Sequence, residues 1–323
     1  MKEPTMRIRI GELPEIDFLM QVELDSSWQQ LTDFGTLVLP RNIRTLSGKD
    51  IARLIQRGNK IEIDLGYDGE NETEFVGYVT DVTAGYPLTI NFEDSMFQLK
   101  KNPINISGNS ISLEELIRKI LPEGMPFEAI EMEIGAYRYS KVTAAQVLQQ
   151  LQRERGIYSW FRNEKLHGGF AYDLQDHRRI SCNFEDVDGE APIKDSSSSL
   201  QYRFADTLNV KVNAISILPD NTRIELSIGD NDGETRTLHF YNIKTESALR
   251  RVAEEELKRL RFDGWRGKFR SFGFPRAKHG DIVTITDPDF PEFKRGTHFI
   301  DRVKTFSGTN GYFRDITPGR IAL

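Results

Sequence analysis

The chain has 323 residues, a net charge of −6 and a pI near 5.6, with 38% hydrophobic and 28% charged residues. That length predicts two domains, or one with insertions, and leaves ample chain for a sizeable core. The acidic balance argues against a protein built to grip a phosphate backbone, which carries a basic excess over at least one domain. Cys182 is the single cysteine, so an intrachain disulfide and a thiolate metal cluster are both excluded, which fits synthesis in a reducing cytoplasm. The start, MKEPTMRIRIGELPEIDF, has no apolar signal stretch, and no run reaches the roughly 18 apolar residues of a membrane span. No membrane insertion is expected.

Residues 1–105 read mostly as strands: 6–10, 17–24, 34–40, 59–67, 73–82 and 87–94 alternate or are rich in β-branched and aromatic residues, with Gly, Pro, Asp and Asn between them. YDGENE at 67–72 turns 59–82 into a hairpin. Ile51, Leu54 and Ile55 make one short helical turn, closed by Gly58.

Residues 106–188 change character and read as an α+β insert. Ser112 with Glu115 three residues later forms a capping box. Leu113, Leu116, Ile117, Ile120 and Leu121 then share a helical face, which Pro122 ends. Thr143 and Gln146 open a second helix, with Gly156 placed at its C-terminal cap. IYSWFRNEKLHGGFAYD reads as a hairpin turning at Asn163-Glu164.

DGEAPIKDSSSSL at 188–200 has linker composition. Beyond it, 189–323 reads as a second β-domain carrying one long helix at 246–261, whose Leu249, Val252, Ala253, Leu257 and Leu260 form a single face. A weak repeat supports two related β-domains: Ile61 and Ile63 match Val283 and Ile285, while Phe75, Val76 and Val79 match Phe299, Ile300 and Val303.

The stretch from 261 to 293 interleaves Arg261, Arg266, Lys268, Arg270, Arg276 and Lys278 with Phe262, Trp265, Phe269, Phe272 and Phe274. It suits either a stacking platform for single-stranded nucleic acid or a barrel wall. If 267–274 is a strand, aromatic parity switches near Arg270–Ser271, and nearby Asp263, Asp281, Asp287 and Asp289 offset the bases. Both points favour the wall.

Motifs for chemistry are sparse. There is no GxSxG, HExxH, P-loop or GxGxxG. His167, His177, His239, His279 and His298 lack helical metal spacing. GDNDGE at 229–234 has the composition of a turn rather than a calcium loop. Asp287 and Asp289 offer a carboxylate pair, but Pro288 and Pro291 make a stiff loop there, whose tip residues Phe290, Pro291 and Phe293 are candidate partner contacts. No catalytic residue, metal or cofactor is assigned.

LIQRGNKIEIDLGYDGENETEFVGYVTDVTAGYPLTINFEDSMFQLKK, LQRERGIYSWFRNEKLHGG and HGDIVTITDPDFPEFKRGTHFIDRVKTFSGTNGYFRDITPGR occur in that order. Together they resemble phage tail baseplate hub proteins of the Mu-like type, and the N-terminal hub part of type VI secretion spike proteins. The resemblance implies a mainly β fold of two tube-like antiparallel barrels with a small α+β insert. It further implies a homotrimer that adapts a six-fold tail tube to a three-fold spike, the spike being a separate protein. DNA would be met only in transit, and the chain would be made in the bacterial host cytoplasm and placed in the virion tail baseplate. The rival expectations are a cell-wall-acting hydrolase and a nucleic-acid-binding β-barrel.

Overall fold

The computed structural model describes residues 3–40, 51–85, 87–172, 177–185, 191–194, 198–289 and 296–322. Phe290, Pro291 and Phe293 lie outside the described residues. The chain is mainly β and forms two compact units: residues 1–98, 176–200 and 267–319 make the first, and 99–175, 201–266 and 320–323 the second.

In the first unit, the N-terminal strands are β1 (Pro4–Ile10), β2 (Gln21–Ser27), β3 (Phe34–Leu39), β4 (Lys60–Tyr67), β5 (Glu70–Thr83) and β6 (Leu88–Glu93), with the short turn α1 (Ile51–Leu54) before β4. Their lateral order is β1-β4-β5-β6-β3-β2. The alternation read from the sequence places one apolar row on one face of each strand. Ile8, Leu24, Leu37, Ile63, Phe75, Val79, Ile90 and Phe92, drawn from all six strands, meet in one buried cluster. The β4–β5 hairpin turns at Asp68-Gly69, whose φ values of 53° and 87° suit the two-residue turn that follows the right-handed strand twist.

The rest of this unit is β12 (Arg179–Asn183), β13 (Ala191–Lys194), β19 (Phe269–Phe272), β20 (Ile282–Thr286), β21 (Gly296–Gly308) and β22 (Gly311–Ile321). Their order is β12-β20-β21-β22-β19-β13, and a β12–β13 pairing closes them into a six-stranded barrel. Taken in chain order, the two sets of six strands occupy the same lateral positions. They differ at two places. β12 runs parallel to β20, where β1 runs antiparallel to β4. The first array is not closed between β1 and β2 by any described pairing; β2 instead gives its outer edge to β21, in a register from Gln21↔Gly308 to Ser27↔Arg302.

The equivalence extends to single hydrogen bonds. Gly58 N–H donates to Val79 C=O at 2.8 Å, and Val79 N–H to Asn59 C=O at 2.9 Å. Gly280 and Ile300 repeat this at 2.8 Å, with Asp281 in place of Asn59. The match of Ile61 and Ile63 with Val283 and Ile285 therefore holds, but in the second strand Val79 stands where Ile300 stands. The sequence pairing of Phe75 with Phe299 is three residues out of step, because strands of similar composition align almost as well when slipped. Gly58 and Gly280 enter their strands at φ 92° and 83°, where a side chain is strained. Gly58→Ala and Gly280→Ala should each cost about 1–3 kcal/mol in chemical denaturation. A cost at one position and none at the other would contradict their equivalence.

The second unit contains β7 (Pro103–Gly108), β8 (Phe127–Ala129), β9 (Tyr137–Thr143), β10 (Tyr158–Arg162), β11 (Lys165–Gly169), β14 (Gln201–Arg203), β15 (Val210–Ile217), β16 (Arg223–Gly229), β17 (Glu234–Tyr241) and β18 (Gly264–Arg266). A short helical turn, α2 (Met96–Leu99), leads into it. The helices α3 (Leu113–Ile120) and α4 (Ala144–Arg155) carry the capping boxes read from the sequence, and Gly156 ends α4 in the left-handed region. Asn163 and Glu164, at φ 52° and 59°, turn the β10–β11 hairpin. The long helix α5 (Glu246–Leu260) packs Leu249 and Ala253 on Val212, Ala214 and Leu226 of the sheet β16-β15-β17.

This layout departs from the division at 105 and 188. Residues 210–260, read as part of a second barrel, form the β16-β15-β17 sheet with α5. β12 comes from within the span read as an insert, and β13 from within the stretch read as linker. Each of these two strands has five residues or fewer, too short to show a period.

Candidate assembly surface

The aromatic–basic stretch is divided between the two units, 261–266 in the second and 267–289 in the first. In β19, Phe269 and Ser271 face inward, while Arg270 is half-buried and Phe272 faces out. Phe269–Phe272 are barrel wall, with the rings of Phe269 and Phe272 on opposite faces, whereas β18 (Gly264–Arg266) pairs with β14 in the second unit. The four arginines of the stretch are committed to partners. Arg270 holds Asp315 through Nε at 2.6 Å and Nη2 at 2.9 Å, Arg276 lies 3.9 Å from Glu74, Arg261 pairs with Asp230, and Arg266 donates to Leu260 C=O.

The junction between the two arrays is lined with ion pairs. On β2 and β21, the Arg302 guanidinium grips the Asp25 carboxylate with Nε at 2.8 Å and a second, shorter bond from Nη2. Lys304 adds contacts to Glu23 at 3.4 Å and to Asp25 at 3.6 Å. The bond to Asp25 raises Arg302 above its ordinary pKa, against a smaller opposing effect of burial.

Behind this ladder Arg314 of β22 is fully buried, and all five of its N–H groups find acceptors. Nη1 and Nη2 reach the two oxygens of Glu74 on β5 at 2.8 and 2.7 Å. Nη1 also donates to Thr305 Oγ1, Nη2 to the Tyr312 hydroxyl and Nε to Gly273 C=O, each at 2.7 Å. Burial works against the Glu74 charge, yet the adjoining Arg314 outweighs it and holds the carboxylate at about 2. Burial also pushes the Tyr312 phenol well above its usual range. Tyr67 of β4 donates its hydroxyl to Tyr312 C=O at 2.8 Å. The two arrays are thus fastened through buried, fully bonded polar groups as well as through the β2–β21 ladder.

Residue types with catalytic potential do meet in this unit, but in the wrong geometry. Ser26 Oγ lies 2.6 Å from His279 Nδ1, and the Asp33 carboxylate 3.6 Å from the same nitrogen. A nucleophilic triad needs its two partners on opposite ring nitrogens. Asp94 is pushed up to about 7, first by burial and then by the charge of Asp33. It accepts hydrogen bonds from Thr32 Oγ1, Asp33 N–H and Met96 N–H. These bonds pin the loop before β3 to the end of β6. The cavity lined by Asp25, Ser26, Asp33, Glu74 and Lys278, of about 10 Å³, has room for roughly one water and none for a substrate.

The remaining sequence candidates are scattered. Asp287 accepts from Asp289 N–H at 3.2 Å, a turn-capping bond. His298 Nδ1 lies 3.2 Å from Gly319 C=O, and His167 stacks on Trp160. Of the exposed apolar side chains, Phe18 and Met20 were not singled out by the sequence, and Phe272 and Phe274 were read only as part of the aromatic–basic stretch. Phe18 and Met20 precede β2, and Phe272 and Phe274 follow or end β19. Thr309 N–H bonds Met20 C=O, and Gly273 N–H bonds Tyr312 C=O. Both pairs therefore flank the tip of the β21–β22 hairpin, and the order β2-β21-β22-β19 gathers them at one end of the sheet. Exposed apolar residues gathered at a sheet end are a candidate contact surface. A signal for Phe272 was available in the parity switch, which turned it outward.

No protein-family model and no curated protein matches the sequence. Solved structures do resemble it. The tail protein from Neisseria meningitidis MC58 superposes with a TM-score of 0.64 at 14% identity, covering 99% of this chain and 96% of that one. The 43 kDa tail protein of prophage MuSo2 from Shewanella oneidensis gives 0.63 at 15% identity, with 98% of each chain covered. An E. coli component of the type VI secretion system, itself described as structurally similar to T4 bacteriophage tail proteins gp27 and gp5, gives 0.60 at 10% identity over 98% of this chain and 77% of that one. From end to end, the chain has the fold of phage and prophage tail proteins.

Proposed function

We propose that the chain is a structural component of a phage or prophage-derived tail baseplate, a hub that assembles as a ring of three. The observation that carries this reading is the strand order, which is the same in two arrays of six placed side by side in one unit. A three-fold ring matches a six-fold partner only if each subunit offers two near-equivalent surfaces, and the duplicated array supplies them. One side of the ring would then meet a six-fold tail tube and the other a three-fold spike carried by a separate protein. The hub performs no reaction of its own, and the one-sided Ser26–His279–Asp33 arrangement agrees with that. DNA passes through without being held, which suits a net charge of −6.

Solution mass tests the reading. Light scattering on the purified chain should give three times 37.1 kDa, about 111 kDa. A stable hexamer would instead indicate a tube-like component.

A further inference from the structure

We infer that Asp33, Asp94 and His279 act as a proton-operated clasp: together they hold one proton in the closed fold, and its loss frees the loop that joins β2 to β3.

The clasp lies within the first unit and draws on both arrays. Asp33 ends the loop between β2 and β3, Asp94 follows β6, and His279 precedes β20. All three side chains are buried, at 7%, 6% and 3% exposure. The two aspartates are tied to each other through the backbone. Asp33 N–H donates to the Asp94 carboxylate at 3.0 Å, and Asp94 N–H to Asp33 C=O at 2.9 Å. Thr32 Oγ1 and Met96 N–H also donate to Asp94, at 2.7 and 2.9 Å. His279 Nδ1 lies 3.6 Å from the Asp33 carboxylate and 2.6 Å from Ser26 Oγ. These contacts fasten the loop to the end of β6 on one side and to the entry of β20 on the other.

Counting charges gives the proton. Two adjoining buried carboxylates oppose each other's ionisation unless a cation joins them. One proton relieves this from either of two places. On a carboxylate it removes one of the two charges. On the imidazole it makes a cation beside Asp33, with Ser26 Oγ as acceptor. The three groups therefore titrate as one coupled set. The other charges facing the site have partners of their own. Asp25 is bonded to Arg302 and lies 3.6 Å from Lys304. Glu74 is bonded to Arg314 and lies 3.9 Å from Arg276. Lys278 lines the same small cavity as Asp33, where its charge helps to hold Glu74 ionised. Asp281, two residues past His279, accepts from the N–H groups of Arg178 and Lys278.

The direction follows from Asp94. Burial, then the charge of Asp33, pushes it up to about 7 from an ordinary 3.8. An acid whose pKa is raised by folding stabilises the closed form fully below its ordinary value, and that contribution is lost as pH rises through the raised one. A proton held by His279 is lost in the same direction. The closed form should therefore weaken roughly tenfold per pH unit between about pH 5 and pH 7. That window lies above the range in which Glu74 titrates.

Hydrogen exchange reads the clasp directly. Corrected for the intrinsic exchange rate, protection of the Asp33 and Asp94 amides should fall by roughly tenfold or more from pH 5 to pH 7. Asp33→Asn leaves Asp94 its donors and removes the neighbouring charge, so it should cut that fall to less than about threefold. NMR titration of the wild type needs no substitution. It should show an aspartate midpoint above about 5 at Asp33 or Asp94, or a His279 midpoint above the ordinary value of about 6.5. Equal protection at both pH values, an Asp33→Asn variant that keeps the full fall, or ordinary midpoints at all three groups would each overturn the clasp.

Discussion

Glu74→Gln should destabilise the first unit by about 3–5 kcal/mol, the usual cost of removing one member of a buried ion pair. For a chain of this size that is a drop in Tm on the order of 10 °C. The cause is Arg314. With Glu74 ionised, every guanidinium N–H is bonded and the two charges cancel. With glutamine, the buried cation loses its counter-charge and one of its five acceptors, because the amide nitrogen cannot accept from the N–H it faces. Glu74→Leu with Arg314→Met should recover part of the loss, since paired removal leaves no charge stranded. Recovery stays partial because Thr305, Tyr312 and Gly273 lose a donor.

The same pair sets an acid limb. Glu74 titrates near 2 in the fold, against an ordinary value of 4.5. Its stabilising contribution, of order 3 kcal/mol, is therefore complete above pH 4.5 and lost progressively as pH falls toward 2. Denaturation midpoints measured from pH 6 down to pH 2.5 should show this loss in the wild type and a flatter profile in Glu74→Gln. Equal slopes would place the acid sensitivity elsewhere.

The second large effect is expected at Phe92. Its ring is 1% exposed and lies edge-on to Phe75, with centroids 4.9 Å apart. Gly35 faces it across the β3–β6 pair, and a Cβ at Gly35 would stand 2.6 Å from the ring. The glycine is thus the space the phenyl group fills. Phe92→Ala should cost about 3–5 kcal/mol, a transfer loss plus the cavity left behind. Gly35→Ala should also destabilise, by overpacking. The double substitution should cost less than the two single costs together, since losing the ring relieves one of the alanine methyl's two close contacts, the other being the Glu23 carbonyl oxygen at 2.6 Å. Strict additivity in urea denaturation would show that ring and glycine do not constrain each other.

Much of the fold was legible because its signals are local. Capping pairs such as Ser112–Glu115 and Thr143–Gln146 declare helix starts within four residues. Asn163-Glu164 declares its turn in the same way. The strands of the first array alternate cleanly because each buries one face, so Ile61, Ile63 and Leu65 stand out from Glu62 and Asp64. What stayed hidden is pairing. Nothing local in Arg179–Asn183 or Ala191–Lys194 says that these short strands pair with each other and close a barrel. The interruption of that barrel by 201–266 cannot be read from composition, since β15–β17 have the same residue types as barrel strands. The exposed apolar cluster was hidden for the same reason. Phe272 and Phe274 look like core residues in a sequence, and only the lateral order of β2, β21, β22 and β19 gathers them with Phe18 and Met20.

One chain carries two near-equal arrays, so a ring of three would present six. The most direct test is averaged electron microscopy of the purified assembly viewed down its axis. The account predicts a particle of three copies with six β-arrays at near-equal radius and near-60° spacing. Three copies whose first and second arrays lie at clearly different radii, or any particle without a three-fold axis, would contradict it.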